Sequence, residues 1–276
     1  MSSSPPATLS GRGAVVTGVG RRAGIGFAIS RRLVSLGASV FASQCVEHDR
    51  RQPWGADPDA PDALLAELED AAVAANQRFG HLDVDLAEPD APDRLIARAL
   101  GAIGRLDILI CNHAQSGSDG PLSQLTAGML DSHYAVNTRS SILLAKAFSS
   151  EFEPAVGATR PAGRVVFLTS GQDLGPMPGE VAYAAAKGAL SSITLTLADE
   201  LAALGITVNT VNPGPVDTGY ADEAAREAVR ARMPHGRWGE PDDAARLIVW
   251  LCTDDARWIT GQVVNSEGGF RRWGGS

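Results

Sequence analysis

The stretch that decides the fold is "GAVVTGVGRRAGIGFAIS", residues 13–30. It begins with a β-branched run, 13–17, which predicts a buried strand, and it continues into a segment with four glycines. Apolar residues then recur at helical spacing until Gly37 ends the pattern. They are Ile25, Ile29, Leu33 and Leu36. A strand, a glycine-rich turn and a helix in this order predict the start of a βαβ unit.

The glycine loop, residues 17–26, has the composition of a phosphate-binding turn. Glycines let the backbone approach a phosphate, and the N-terminus of the following helix supplies free N–H groups. The pattern is looser than the standard fingerprint, so a glycine-rich turn without a ligand is the alternative. The position between the first strand and the first helix favours a dinucleotide. The residues expected at the phosphates are Gly18, Gly20, Gly24, Ile25 and Gly26.

The choice of dinucleotide depends on the charges near the second predicted strand, 39–43. That strand ends beside Gln44 without an acid, and a carboxylate there would hold a ribose 2′-hydroxyl and repel a 2′-phosphate. Arg21 and Arg22 lie in the glycine loop, and guanidinium groups bind phosphate oxygens bidentately. We therefore expect NADP(H) to be favoured over NAD(H). The alternative is that both arginines are merely solvated.

Strand-like and helix-like runs alternate along the rest of the chain. Further strands are predicted at 105–111, 163–170 and 205–213, each after a helical stretch. This alternation predicts an α/β fold, a Rossmann-like doubly wound parallel sheet with helices on both faces. The chain shows no linker or internal repeat. We therefore expect a flexible arm at 1–10 followed by a single domain over 11–276.

Two segments interrupt the alternation. Residues 45–62 contain three prolines and are predicted to form a long loop. Residues 213–241 have turn residues at both ends of a charged, poorly amphipathic helix, and they are predicted to form a substrate lid. Long segments at the carboxyl ends of parallel strands overhang the ligand crevice.

Composition narrows the class of function. The chain has 276 residues and a formal net charge of -8, which argues against a nucleic-acid-binding protein. Its three cysteines lack the spacing of a zinc site or a disulfide framework, so we expect no metal and a reducing cytoplasm. No secretory signal and no membrane span are expected from the apolar pattern.

The stretch "VAYAAAKGAL", 181–190, places a phenol and an amine one helical turn apart. The apolar repeat through this region predicts the buried face of one helix over about 181–204. That repeat consists of Ala186, Leu190, Ile193, Leu197, Leu201 and Leu204. Tyr183 and Lys187 then lie at the rim of the face, on the same side. A nearby ammonium lowers the pKa of a phenol, which suits acid–base chemistry. The alternative is a half-buried tyrosine beside a surface lysine.

Together these motifs resemble the short-chain dehydrogenase/reductase family over about residues 10–270. Besides the glycine loop and YxxxK, the resemblance rests on "NHA" (112–114), on Ser170 thirteen residues before the tyrosine, and on "NPGPVDTG" (212–219) and "ITGQVVNSEGG" (259–269). Within the family the chain is most similar to bacterial 3-oxoacyl-(acyl carrier protein) reductase-like members. The glycine loop is two residues longer than usual.

The resemblance implies a set of site residues. Tyr183 is expected to be the general acid for carbonyl reduction. Lys187 is expected to bind the nicotinamide ribose and to lower the tyrosine pKa. Ser170 is expected to hydrogen-bond the substrate oxygen, and Asn137 to hold a water that links the lysine to solvent. Asp85 is expected at the adenine. The remaining cofactor contacts implied are Gln44, Leu86, Asn112, Ala114, Pro213, Gly214, Val216 and Thr218.

The sequence thus predicts an oxidoreductase that interconverts a carbonyl and an alcohol by hydride transfer, with 3-oxoacyl thioesters as one substrate class. A non-catalytic dinucleotide-binding sensor or scaffold is the alternative. The resemblance implies a homotetramer or homodimer, in which the tail 270–276 could reach a neighbour. Three arginines on the predicted lid could dock an acidic acyl carrier protein, although a solvated charged face is the default explanation. They are Arg226, Arg230 and Arg232.

Overall fold

The computed structural model describes residues 9–53, 55–57, 60–154 and 162–273. Most of the expected arm at 1–10, and the end of the tail, lie outside these described residues. The strands are β1 (Gly13–Thr17), β2 (Ser39–Gln44), β3 (Phe79–Asp83), β4 (Ile108–Cys111), β5 (Gly163–Leu168), β6 (Ile206–Asn212) and β7 (Val263–Asn265). The helices are α1 (Ile25–Ser35), α2 (Val46–Arg51), α3 (Asp62–Asp70), α4 (Ala91–Ile103), α5 (Ala127–His133), α6 (Ser140–Glu151), α7 (Val181–Ala202), α8 (Glu223–Arg230) and α9 (Pro241–Leu251).

The described strands form one sheet in the order β3-β2-β1-β4-β5-β6-β7, and each neighbouring pair is parallel. The chain moves outward from β1 to β3 on one side and then returns to place β4 on the other side of β1. This reversal creates a topological switch point, where a crevice opens at the carboxyl ends of the strands. The predicted Rossmann-like, doubly wound architecture is confirmed.

The sheet separates two apolar clusters. On one face α1 and α9 pack together over residues such as Val16, Ile29 and Ile248. On the other face α4, α6 and α7 cover residues such as Val15 and Phe167. The strands β1, β4, β5 and β6 are buried along their whole length, because helices exclude water from both faces.

Several predicted strands are shorter in the structure. The strand predicted at 105–111 begins at Ile108 in the structure. The Asp107 carboxylate before it accepts a hydrogen bond from the Gly13 N–H at 2.8 Å and binds Arg105. The strand predicted at 163–170 ends at Leu168. The sequence analysis did not identify β7, a three-residue strand that is only partly buried and therefore has a weak apolar pattern.

The prediction of a long loop at 45–62 is wrong for part of that segment. Residues 46–51 form the helix α2 directly after β2. Its first N–H group, at Val46, donates to the Asp83 carboxylate at 2.9 Å. A carboxylate at the end of a neighbouring strand therefore stabilises a helix that the local sequence alone does not favour. Within this segment, residues 54, 58 and 59 lie outside the described part of the chain.

Helix α7 ends at Ala202, close to the predicted end at 204, but its buried face is displaced. The buried residues follow i+4 spacing, and Leu204 lies beyond the helix and is exposed. The buried set is Ala182, Ala186, Lys187, Leu190, Thr194 and Ala198. By length and composition alone α7 could cross a membrane, but here it packs along β6 and buries threonine and lysine, as a core helix does.

Candidate active site and dinucleotide crevice

The crevice at the switch point is held together by Asn112, the first residue after β4. Its side-chain amide donates to the Thr17 carbonyl at 2.9 Å and to the Gly18 carbonyl at 3.1 Å. Its own N–H donates to the Thr17 hydroxyl at 3.0 Å. These contacts tie the glycine loop to the neighbouring strand, so the two sides of the crevice are fixed relative to each other.

Two glycines of the loop allow this close approach. Gly18 has φ +73°, and a Cβ there would lie 2.8 Å from the Asn112 amide nitrogen and from the backbone of His113. A Cβ on Gly26 would overlap the Gly18 carbonyl. Both positions therefore require glycine for steric reasons.

The N-terminus of α1 faces the glycine loop. Its N-cap, Gly24, provides no side-chain cap, and the first turn carries no acidic residue. A helix N-terminus of this kind presents free N–H groups and a positive dipole end. The dinucleotide predicted from the sequence fits here, because a pyrophosphate supplies the acceptors and the negative charge.

The two loop arginines are placed differently. Arg21 reaches across the crevice and donates to the Thr218 carbonyl at 3.0 Å. Arg22 forms an exposed ion pair with Glu67 of α3, which raises the pKa of the guanidinium. The main-chain N–H of Arg22 donates to Asp57 at 2.6 Å. A cofactor phosphate at Arg22 would therefore compete with Glu67.

The end of the crevice beside β2 contains an acid that the sequence analysis missed. Asp49 of α2 lies against Gly20, where a Cβ would overlap its carboxylate. Burial raises the pKa of Asp49, and His48 and Arg21 oppose that effect. The sequence analysis sought an acid directly after β2, and the unpredicted helix brings one back to the loop. Gln44 is buried there, and its Oε1 has no hydrogen-bond partner.

Asp85 and Leu86 follow β3, as expected. Asp85 is exposed, and its carboxylate accepts a hydrogen bond from the Ala87 N–H at 2.8 Å. Leu86 is buried under the sheet end and belongs to the α4-side core. Only the acid of this pair is therefore free to meet an adenine.

The end of β5 brings the serine, the tyrosine and the lysine together through three consecutive residues. The Leu168 carbonyl accepts a hydrogen bond from the Lys187 ammonium at 2.9 Å. The Thr169 hydroxyl donates to the main-chain carbonyl of Lys187 at 2.9 Å. The Ser170 hydroxyl lies close enough to the Tyr183 phenol to lower the pKa of that phenol. The lysine Nζ lies 5.9 Å from the centroid of the tyrosine ring.

The expected direction of the tyrosine pKa is wrong in this arrangement. Burial, and then the negative charge of Glu180, raise the pKa of Tyr183, and the Ser170 hydrogen bond only partly opposes them. Lys187 is not at the rim but fully buried at 2% exposure, which lowers its own pKa to about 8. Desolvation of both side chains outweighs the attraction between ammonium and phenolate.

Asn137 lies in a π-helical turn, Tyr134–Arg139, between α5 and α6. Its side chain accepts a hydrogen bond from the Gln115 N–H at 2.7 Å and donates to the Gln115 carbonyl at 3.1 Å. The amide thus clamps the loop after β4, and π-turns are frequent at functional sites. The imidazole of His133 in turn contacts the Tyr183 ring edge-on, with centroids 6.2 Å apart.

The loop after β6 closes the crevice opposite the glycine loop. Gly214 has φ +68°, and its N–H donates to the Asn212 side chain at 3.0 Å. Val216 is buried and forms a bridge with Gly239, which joins the two ends of the predicted lid. Thr218 receives Arg21, so the expected cofactor residues of this loop face the expected phosphate residues.

Comparison with known proteins identifies the family. A family model described as enoyl-(acyl carrier protein) reductase matches residues 18–271. The oxidoreductase YjdA of Bacillus subtilis is 42% identical over 94% of this chain and 96% of its own length. The structure of a dehydrogenase/reductase from Sinorhizobium meliloti has a TM-score of 0.80, with 33% identity over 95% of this chain and 96% of that one.

A short-chain dehydrogenase from Burkholderia cenocepacia, solved in complex with NADP, also has a TM-score of 0.80, with 32% identity over 95% of this chain and 98% of that one. The chain is a short-chain dehydrogenase/reductase. Family membership makes it an NAD(P)-dependent oxidoreductase and therefore accounts for the crevice and the glycine loop.

In this short-chain dehydrogenase/reductase, His113 has a structural role. It is nearly buried, and its ring contacts the Thr17 hydroxyl at 2.6 Å and the Ser140 hydroxyl at 2.7 Å. Burial, together with the charge of Lys187, lowers the pKa of His113 to about 3. The histidine is therefore neutral across the physiological range.

Sequence reasoning missed Asp119, which holds the first turn of α7. One carboxylate oxygen accepts a hydrogen bond from the Tyr183 N–H at 2.8 Å, and the other accepts one from Ala182 at 3.1 Å. Burial raises the pKa of Asp119, but the donors from Tyr183, Ala182 and Gly120 lower it further than burial raises it. The acid lies 64 residues before the tyrosine, so no local pattern reveals the contact.

The lid of this dehydrogenase packs by aromatic contacts. Trp238 is nearly buried, and its indole N–H donates to the Arg226 carbonyl at 2.9 Å. The Tyr220 ring contacts it edge-on, with centroids 6.3 Å apart. Trp238 therefore anchors α8, and Tyr220 is the more exposed aromatic residue of this pair.

Proposed function

We propose that this protein reduces a ketone or aldehyde to an alcohol with a nicotinamide dinucleotide, and that Ser170, Tyr183, Lys187 and Asn137 form its catalytic set. The observation that carries the proposal is the convergence at the end of β5. There, Leu168 and Thr169 hydrogen-bond Lys187, and Ser170 lies beside the Tyr183 phenol. A serine, a phenol and an amine gathered at a switch-point crevice suit carbonyl chemistry.

The bound dinucleotide supplies the hydride. Tyr183 keeps its proton at neutral pH, because burial raises its pKa, and it donates that proton to the substrate oxygen. Ser170 donates a hydrogen bond to the same oxygen while negative charge develops on it. Lys187, held at the Leu168 carbonyl, binds the ribose and keeps a positive charge beneath the tyrosine ring.

We also propose that NADP(H) is favoured over NAD(H). Arg21 and Arg22 support this choice, since both lie in the glycine loop: Arg21 donates to the Thr218 carbonyl across the crevice, and Arg22 pairs with Glu67 of α3. The related Burkholderia protein was solved with NADP. Asp49 is the opposing feature, since its carboxylate lies against Gly20 of the loop, and the charge of Arg21 acts against it.

For the substrate we propose a 3-oxoacyl thioester, because the family model and the sequence resemblance both point to acyl carrier protein chemistry. The basic docking patch is weaker than its sequence implies, since Arg230 pairs with Glu227 and Arg226 lies 3.5 Å from Asp217. A small thioester therefore suits the site better than the whole carrier protein. We further propose a cytoplasmic homotetramer or homodimer formed through the long helices, with 213–241 as the lid.

The decisive experiment replaces Tyr183 by phenylalanine. The variant keeps the ring contact with His133 and loses only the proton donor. We expect reduction of an acetoacetyl thioester or a simple ketone to fall by about a hundredfold or more, while NADPH still binds. The measurements are NADPH oxidation by absorbance and NADPH binding by fluorescence titration.

The control is Tyr134→Phe, since Tyr134 is an exposed tyrosine of the neighbouring π-turn. We expect this variant to keep full activity. Near-normal turnover by Tyr183→Phe would refute the assigned role. A wild-type enzyme that binds NADPH but reduces none of a panel of thioesters, ketones and aldehydes would refute the proposed reaction.

A further inference from the structure

The segment 267–273 folds back against the serine side of the active site of its own chain. The Arg271 N–H donates to the Arg232 carbonyl at 3.1 Å, and the Phe270 N–H donates to the Glu267 carbonyl at 3.1 Å. The described part of the tail, which the sequence suggested could reach a neighbouring subunit, lies beside the 3₁₀ turn that follows Ser170.

Arg272 makes the closest approach to that turn. Its guanidinium occupies the space that a side chain on Gly171 would take, so a Cβ at Gly171 would overlap it. The aliphatic stem passes Gly175, where a Cβ would lie 3.1 Å from Cδ. The guanidinium also lies 5.3 Å from the ring centroid of Phe270. Glycines at 171 and 175 therefore make room for one arginine.

A chain of polar contacts runs from this arginine to the other side of the crevice. Arg272 forms an ion pair with Glu267, whose side chain is only 9% exposed. The Glu267 carboxylate accepts a hydrogen bond from the Asn212 amide at 2.8 Å, and Asn212 accepts one from the Gly214 N–H at 3.0 Å. Because Glu267 neutralises the guanidinium, the arginine is better suited to fixing positions than to binding an anion.

We propose that Arg272 is a positioning residue, whose ion pair with Glu267 fixes the Ser170–Gly171 turn relative to the Gly214 loop. This inference rests on the proposed function, since those two segments hold the substrate oxygen and the nicotinamide in that reaction. The distance between proton donor and hydride donor is then set partly by the C-terminal segment. Small misplacements of reacting groups cost large factors in rate.

The first test compares Arg272→Ala with Arg271→Ala, which removes the same charge from an exposed neighbour. We expect Arg272→Ala to lower kcat about tenfold and to change the Kd for NADPH by less than about twofold. Arg271→Ala should leave both unchanged. Equal kcat values in the two variants would overturn the proposal. A loss of kcat in Arg272→Ala that is fully explained by a lower thermal stability would also overturn it.

The second test uses the steric overlap at Gly171. The φ of this residue is not in the left-handed region, so alanine is strained there only by Arg272. We expect Gly171→Ala to lower kcat about as much as Arg272→Ala, and the double variant to lose no more than either single variant. Additive losses in the double variant would mean that the arginine and the turn act independently.

A third measurement separates this inference from the proposed reaction. Amide hydrogen exchange in residues 170–175 should become faster in Arg272→Ala and stay unchanged in Arg271→Ala, whether or not a substrate is known. Unchanged exchange in Arg272→Ala would refute the positioning role alone. If exchange becomes faster in Arg272→Ala but the wild type reduces no carbonyl, the proposed reaction is refuted and the positioning role of Arg272 still holds.

Discussion

At the scale of single residues, the site is governed by burial more than by pairing. The ammonium of Lys187 and the phenol of Tyr183 are close, yet burial lowers the pKa of the lysine and raises that of the tyrosine. Each side chain is therefore driven toward its neutral form. This suits the role that we propose for the tyrosine, in which it holds its proton until the substrate oxygen becomes basic.

The lysine pKa gives a pH prediction. Because the pKa of Lys187 lies at about 8, its side chain is mainly protonated at pH 7 and loses its positive charge as the pH rises. We expect kcat for reduction to be nearly constant below about pH 8 and to fall above it, approaching about tenfold per pH unit. The measurement is kcat with saturating NADPH across this range.

Unfolding would not explain that decline. Between pH 8 and the ordinary lysine pKa of 10.5 the unfolded chain binds more protons at this group than the folded chain does. The contribution of Lys187 to the free energy of unfolding therefore increases across the same window. A thermal midpoint recorded at each pH provides the control, and constant activity up to pH 10.5 would contradict the prediction.

At the scale of elements, α7 is positioned by contacts that come from other parts of the chain. Its N-cap, Glu180, provides no side-chain cap, and Asp119 takes that role from the loop after β4. The Thr138 hydroxyl in the π-turn donates to the Ala186 carbonyl at 2.8 Å on the neighbouring face. Tyr183 lies in the first turn of α7, and the loop after β4 and the π-turn together fix the position of that turn.

Replacement of Asp119 by alanine should affect both stability and rate. The first N–H groups of α7 would lose their acceptor, so we expect a loss of about 1 kcal/mol in the free energy of unfolding. Displacement of Tyr183 should also lower kcat about tenfold. Asp119→Asn, which keeps one acceptor oxygen, should fall between the wild type and Asp119→Ala.

The matched control is Thr126→Ala. The Thr126 hydroxyl caps α5 by accepting a hydrogen bond from the Met129 N–H at 3.2 Å, and the variant removes this cap. A similar loss of stability with kcat within about twofold of the wild type is expected. If the two variants lower kcat equally, Asp119 does not position the tyrosine. The measurements are thermal denaturation and steady-state kinetics.

At the scale of the whole molecule, the sheet order places the cofactor between the two halves of the fold. The glycine loop follows β1, and the loops after β4 and β6 face it across the switch point. A ligand in this crevice contacts both halves, so its binding stabilises the complete fold. Thermal stabilisation is therefore a direct measure of cofactor preference.

We expect NADPH to raise the thermal midpoint by more than NADH at equal concentration. A hundredfold excess over Kd contributes about 2.7 kcal/mol, which amounts to a shift of roughly 5–10 °C for a chain of this size. Arg22→Ala should reduce the difference between the two cofactors. Glu67→Gln, which releases Arg22 from its ion pair, should increase it. Equal or greater stabilisation by NADH would contradict the proposed preference.

The sequence by itself determined the architecture and the family, and it supplied the residues that we propose for the chemistry. Three local patterns carried this information: the alternation of strands and helices, the glycine turn after β1, and the spacing of Tyr183 and Lys187. Each pattern can be read within a few residues, because local hydrogen bonding and apolar periodicity produce it. These patterns were sufficient for the alternation of strands and helices and for the family, although they left out α2 and β7. They also placed Ser170 at the end of β5, next to the tyrosine and the lysine.

Only the tertiary structure decided the environment of those residues. Asp49, Asp119 and Arg272 reach the crevice from distant parts of the chain, and the partners of Arg22 and Lys187 come from α3 and β5. The direction of the tyrosine pKa depends on desolvation, which is a property of everything packed around the ring. Burial and long-range contacts arise from the packing of the whole chain, so no local pattern encodes them.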